Sequence, residues 1–209
     1  MRFSNCSMPR RGIRREELTE VDLHTSTLAR KKTHVKLREI LEQYGIAIRA
    51  MAPADAVARI AKRPPAVQTV VIAALDEYLH HSGAEADRIS TRWVIDVLQK
   101  ADDDPWRNQV RQVGRRSAAL EVLVKSVDVR LQPPSFLLIV VRSLPKESPS
   151  RLSLARQVQF AFPGDFWANY QLGLDLSNAR KPAEGIRYHT AALALRPDNP
   201  VVLLHRGIA

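Results

Sequence analysis

The sequence predicts an all-α fold, built as a solenoid of antiparallel helix hairpins with a flexible N-terminal arm. Three observations predict it. Apolar residues recur at helical spacing from Thr33 onward, proline and glycine punctuate the chain at short intervals, and Gly173 and Gly207 stand 34 residues apart in similar surroundings. The dense Val, Ile and Thr alternation of an all-β chain is missing from the 209 residues.

Residues 1–32 show no sustained apolar period and read as a basic, mobile arm. Val35, Leu37, Ile40 and Leu41 then recur at helical spacing, and Gly45 is placed to cap the C-terminus of their helix. Pro53 opens a short helix carrying Ala56, Val57 and Ile60. Pro64-Pro65 opens a longer one through Val67, Val71, Leu75 and Leu79, closed by Gly83. Ile89, Trp93, Val94, Val97 and Leu98 form the next. It stops at Asp102-Asp103-Asp104, where Asp104-Pro105 reads as an N-cap and first-turn proline for a helix with Trp106, Val110 and Val113. Gly114 ends that helix, and Ser117 starts a segment with Leu120, Leu123 and Val124. Similar punctuation returns at Pro133-Pro134, Ser148-Pro149, Pro163-Gly164-Asp165, Lys181-Pro182 and Asp198-Asn199-Pro200. Short turns of this kind join antiparallel neighbours. The division expected is an arm at 1–32, degenerate hairpins at 33–131, and repeat-like hairpins at 132–209 whose last member is cut short.

The sharpest signal is the spacing 207 − 173 = 34 between the two glycines. Glycine inside a helix costs about 1 kcal/mol against alanine, so its placement needs a packing reason, and close approach of a second helix supplies one. Gly173 and Gly185 are expected to form matching small surfaces, with Ala192 doing the same toward Gly207. Leu172, Leu176, Ile186, His189, Leu193 and Leu195 would fill the space between the helices. Pro197 would end the second helix, and Asp198 or Asn199 would cap the next.

Leu172-Gly173, Ala192-Leu193, Pro197 and the 34-residue spacing resemble the tetratricopeptide repeat. Asn169, Arg180 and Arg206 depart from it, standing where the family often has Trp, Gly and Leu. A wider resemblance covers residues 36–209. Tyr44-Gly45-Ile46, Pro53 to Ile60, Ala73 to Tyr78, Asp104-Pro-Trp-Arg, Pro133 to Leu138 and Phe162 to Gly173 look like the C-terminal repeat region of planctomycete-type bacterial serine/threonine kinases. That resemblance implies a separated or truncated regulatory portion and transfers no catalytic residue. The glycine-rich phosphate loop, the Val-Ala-Ile-Lys-like strand and the His-Arg-Asp loop of a kinase are all missing from the sequence, and Asp165-Phe166 is followed by Trp167 where the magnesium motif needs Gly.

The function expected is a protein-interaction scaffold with no catalytic residue and no cofactor. Trp167, Tyr170, Leu174 and Ser177 step along one helical face, with Asn178 beside them, and family geometry assigns that face to a peptide groove. Packing on a neighbouring hairpin is the competing reading of Trp167 and Tyr170. Partners are expected to be proteins or peptides. Self-association through the C-terminal helix would result if Val201, Leu203, Leu204 and Ile208 stay uncovered.

The remaining residues narrow the classes. Cys6 is the single cysteine, so no internal disulfide forms, and the histidines show no metal-ligand spacing. His80 and His81 are adjacent and point about 100° apart on a helix. The formal charge of +10 raises nucleic acid as an alternative partner. Yet the cations are scattered, and Arg10, Arg11, Arg14 and Arg15 run into Glu16, Glu17, Glu20 and Asp22. No apolar run reaches signal-peptide or bilayer length, which makes the cytoplasm the expected setting.

Overall fold

The structure, a computed structural model, describes residues 27–82, 88–114 and 118–208, with side chains from Thr33 onward. Among these residues the chain is helical, with no strand. The helices are α1 (Thr27–Gln43), α2 (Pro53–Ala61), α3 (Pro65–His81), α4 (Arg88–Ala101), α5 (Pro105–Val113), α6 (Ala118–Leu123), α7 (Pro134–Ser143), α8 (Pro149–Ala161), α9 (Phe166–Asn178), α10 (Pro182–Leu195) and α11 (Pro200–Ile208). A 3₁₀ turn, Val129–Leu131, precedes α7. Seven of these helices open on proline, whose missing N–H costs nothing in the first turn.

The expected arm over residues 1–26 lies outside the described residues, as do Gly83 and Ser117. Helix α1 begins at Thr27, inside the stretch expected to form the arm. Its first turns, Thr-Leu-Ala-Arg-Lys-Lys, carry almost no apolar period, so composition conceals a helix whose later turns are held by packing.

The chain forms two compact units that divide between Val97 and Leu98, inside α4. Punctuation alone places a boundary at residue 131 instead. The physical reason for the difference is that residues 98–131 are tied to α7 and the turn before it. The Trp106 ring meets Phe136 edge-on at 5.9 Å, and Arg107 Nη1 donates to Gln132 Oε1 at 3.0 Å.

In the first unit α1 packs on α3, where Leu37, Leu41, Val71, Leu75 and Tyr78 are buried, and Ile60 of α2 is buried as well. Gly45 ends α1 with φ at 75°. Its N–H donates to the Glu42 carbonyl and the Ile46 N–H to the Leu41 carbonyl, the paired bonds of a Schellman cap. Arg59 and Arg63 donate to the carbonyls of Gly45 and Tyr44, adding positive charge where the helix dipole is negative.

In the second unit the core gathers Leu120, Phe136, Leu137, Val140, Val141, Leu144, Leu154, Val158, Ala168, Leu172 and Leu176. Helix α7 is buried along Phe136 to Val141, which is why its sequence is apolar on every face. Asp104 caps α5, accepting from the Arg107 N–H at 2.7 Å. Asp102 has a role that local sequence does not announce. It is buried and takes ion pairs from both Arg107 and Arg111, the latter at 2.7 Å. Burial alone would raise this carboxyl, but hydrogen bonds and charge from the two guanidinium groups hold it below the usual aspartate range.

Candidate interaction face on the last three helices

Asp165 fixes the start of α9 by accepting from the N–H groups of Trp167 and Ala168 at 2.9 and 3.0 Å. Asn169 is fully buried one turn in, donating at 2.8 Å to both the Pro163 and Asp165 carbonyls. This departure from the repeat pattern therefore has a local purpose: the amide clamps the Pro163-Gly164-Asp165 turn onto the first turns of α9.

Helices α9 and α10 meet at two glycines. A Cβ added to Gly185 would stand 2.8 Å from the Gly173 carbonyl oxygen and 2.8 Å from Ser177 Oγ. One added to Gly173 would stand 3.1 Å from the Gly185 carbonyl oxygen and 2.7 Å from the His189 ring. At Gly185 the obstacle is backbone, and at Gly173 it is chiefly the buried His189 ring. Leu172, Leu176, His189, Ala192 and Leu193 are buried around this contact, and Ile186 is half-buried. Leu195, expected there too, is exposed, and that expectation is corrected: it is the last residue of α10 and turns to solvent. Pro197 comes just after the end of α10, and Asn199 rather than Asp198 caps α11, accepting from the Val202 N–H at 3.1 Å. Gly207 is exposed and meets nothing within 4 Å, so no described residue packs on it.

A buried ion pair pins α8 against α9, and a more exposed one joins it to α10. Arg151 meets Asp175 at 2.8 Å and also donates to the Leu144 carbonyl, while Gln171 donates to the second Asp175 oxygen. Arg156 makes a two-pronged contact with Glu184 at 2.8 and 2.9 Å.

The residues expected to line a groove divide. Tyr170 is 4% exposed, covered by α11, and its hydroxyl lies 2.9 Å from His205 Nδ1. The expectation that Tyr170 stands open as an anchor is therefore corrected in favour of packing: Val202 and His205 of α11, which packs on α10, close over the ring. Trp167 is half-buried, edge-on to Phe166 and Tyr170, and the Arg196 guanidinium sits over the Phe166 ring at 4.5 Å and the Trp167 ring at 5.8 Å. Leu174 and Ser177 are half-buried, with Ser177 Oγ donating to the Gly173 carbonyl at 3.0 Å. Asn178 is exposed.

What remains open lies on α11. Adding the 34-residue spacing to Tyr170 and Leu174 gives Leu204 and Ile208, and these are 58% and 73% exposed, with Leu203 beside them. Of the α9 positions expected to bind, Tyr170 alone is closed; Trp167, Leu174 and Ser177 are half-buried and Asn178 is exposed.

No group of three or more His, Cys, Asp or Glu side chains among the described residues is placed to hold a metal ion. No helix among them is long and apolar enough to cross a membrane. Set beside models of protein families, curated proteins and solved structures, the chain matches none of them.

Proposed function

We propose that this chain is a tetratricopeptide-like protein-interaction scaffold, its helices stacked as a solenoid of antiparallel hairpins, that takes apolar peptide segments on α11 and the adjoining end of α9. The observation that carries the reading is the nesting of α9 and α10 at Gly173 and Gly185. Glycines at those places serve a backbone contact between paired helices, as in a tetratricopeptide hairpin, while Gly207, the second glycine of the 34-residue spacing, makes no such contact. Leu174, Leu204 and Ile208 then form the apolar part of the face, with Asn178 as a polar contact at its edge. Resemblance to the repeat region of bacterial serine/threonine kinases supports a regulatory role for such a scaffold, with the chemistry performed elsewhere.

The test uses peptides selected against the full chain from a random library, with affinities measured for wild type, Leu204→Glu and Thr190→Ala. Leu204 is exposed, so the substitution leaves the fold intact while placing a charge on an apolar face. The reading expects Leu204→Glu to weaken binding at least about tenfold, the size of one lost apolar anchor, with Thr190→Ala unchanged. Equal affinities for all three proteins would refute it. Binding of nucleic acid that falls steeply with salt, with no peptide selected, would favour a basic nucleic-acid-associated protein instead.

Self-association is the companion reading, supported by Leu203, Leu204 and Ile208 standing exposed together on one helix. Sedimentation of wild type and Leu204→Glu over a concentration series tests it. A mass that rises with concentration only in the wild type is the expected result.

A further inference from the structure

His189 is wholly buried at the meeting of α9, α10 and α11. Its ring presses on Gly173, lies 5.9 Å from the Tyr170 ring and stacks 6.2 Å from the His205 ring, planes 26° apart. Neither ring nitrogen has a hydrogen-bond partner among the described residues. A neutral imidazole tolerates this poorly, and an imidazolium far worse, since it carries a charge and two N–H donors with no acceptor in reach.

The groups facing it complete the electrostatic picture. From α9 comes the Tyr170 phenol, and from α11 the His205 imidazole, itself a cation once protonated. The carboxylates of α9 and α10 are engaged elsewhere: Asp175 with Arg151, Glu184 with Arg156. Nothing negative on these helices therefore rewards a proton on His189.

We propose that His189 is an acid-sensitive latch: its neutral ring holds α11 against the α9–α10 pair, and protonation releases α11. The latch stands whether or not the face on α11 binds peptides, although release would displace Leu204 and Ile208 with the helix. Burial first, and the nearby His205 second, push the His189 pKa down from 6.5 to about 4. In the window between 6.5 and about 4 the released state binds a proton that the packed state does not. The latch is fully set above that window, and each pH unit into it favours release by up to about tenfold.

The test is a histidine-ring NMR titration of the full chain from pH 8 to pH 4, with the Trp167 indole resonance as a reporter on α9. His34 and His81 also bury ring nitrogens in the first unit, so a global unfolding curve would mix two sources. The expected result is a His189 ring that stays neutral through pH 6 and a Trp167 resonance that leaves its packed position as pH falls further. His189→Phe, which cannot titrate, is expected to shift that change lower by at least about one pH unit, while His205→Gln retains a His189-dependent change. A His189 ring titrating near 6.5 with Trp167 still packed would overturn the proposal. So would a Trp167 transition at the same pH in His189→Phe as in wild type. Should His189→Phe fail to fold, the wild-type titration decides alone.

Discussion

Arg151 on α8 and Asp175 on α9 form a buried ion pair at 2.8 Å, with the guanidinium also bonded to the Leu144 carbonyl. The pair is expensive as well as specific. Burial raises the Asp175 carboxyl above the usual aspartate range even with Arg151 beside it. Removing one partner strands the other. Asp175→Ala is expected to cost about 3–5 kcal/mol in urea unfolding, whereas Arg151→Met with Asp175→Leu together should recover most of that loss. A double variant as unstable as Asp175→Ala would show instead that the pair adds net stability.

Asp102 shares the sign of His189's pH behaviour, with stability lost as pH falls, but in a lower window. Its folded pKa is depressed, so its contribution is fully present above the unfolded value of 3.8 and is lost as pH falls through the folded one. Asp102→Asn should therefore lower stability at pH 7 and flatten the acid limb below about pH 4. Unfolding free energies at pH 7, 5 and 3 for both proteins check this. An unchanged acid limb would mean that Arg107 and Arg111 do not hold the carboxylate as described.

Arg180 occupies a left-handed backbone position, φ 58°, at the turn between α9 and α10. The strain there is about 1–2 kcal/mol for a residue with a Cβ, partly offset by glycine's greater freedom when unfolded. Arg180→Gly is expected to stabilise the chain by up to about 1 kcal/mol, read as a rise in melting temperature. A fall instead would show that the Arg180 side chain contributes more than its backbone costs.

Much of this structure is legible in the sequence where the signal is local. Proline at the first helical position, Asp104 and Asp165 as caps, Gly45 at a helix end and the apolar run of α7 depend on residues within a turn or two of one another. The contact of Gly173 with Gly185 is legible because glycine inside a helix is costly without a reason. What escapes the sequence is set by distant partners. Asp102 reads as one acid in a capping run, and only the fold brings Arg111 and Arg107 onto it. Tyr170 reads as a groove anchor because nothing local says that His205, on another helix, covers it. Helix α1 begins earlier than its apolar period does.

The most direct measurement is the unfolding free energy of Gly185→Ala set against Gly207→Ala. Alanine is normally favoured over glycine in a helix by about 1 kcal/mol. At Gly185 the new methyl would meet the Gly173 carbonyl at 2.8 Å, and at Gly207 it would meet open space. The expected result is a loss of about 1–3 kcal/mol for Gly185→Ala and no loss for Gly207→Ala. A Gly185→Ala protein as stable as wild type would contradict the nesting of α9 on α10, and with it the scaffold built on that contact.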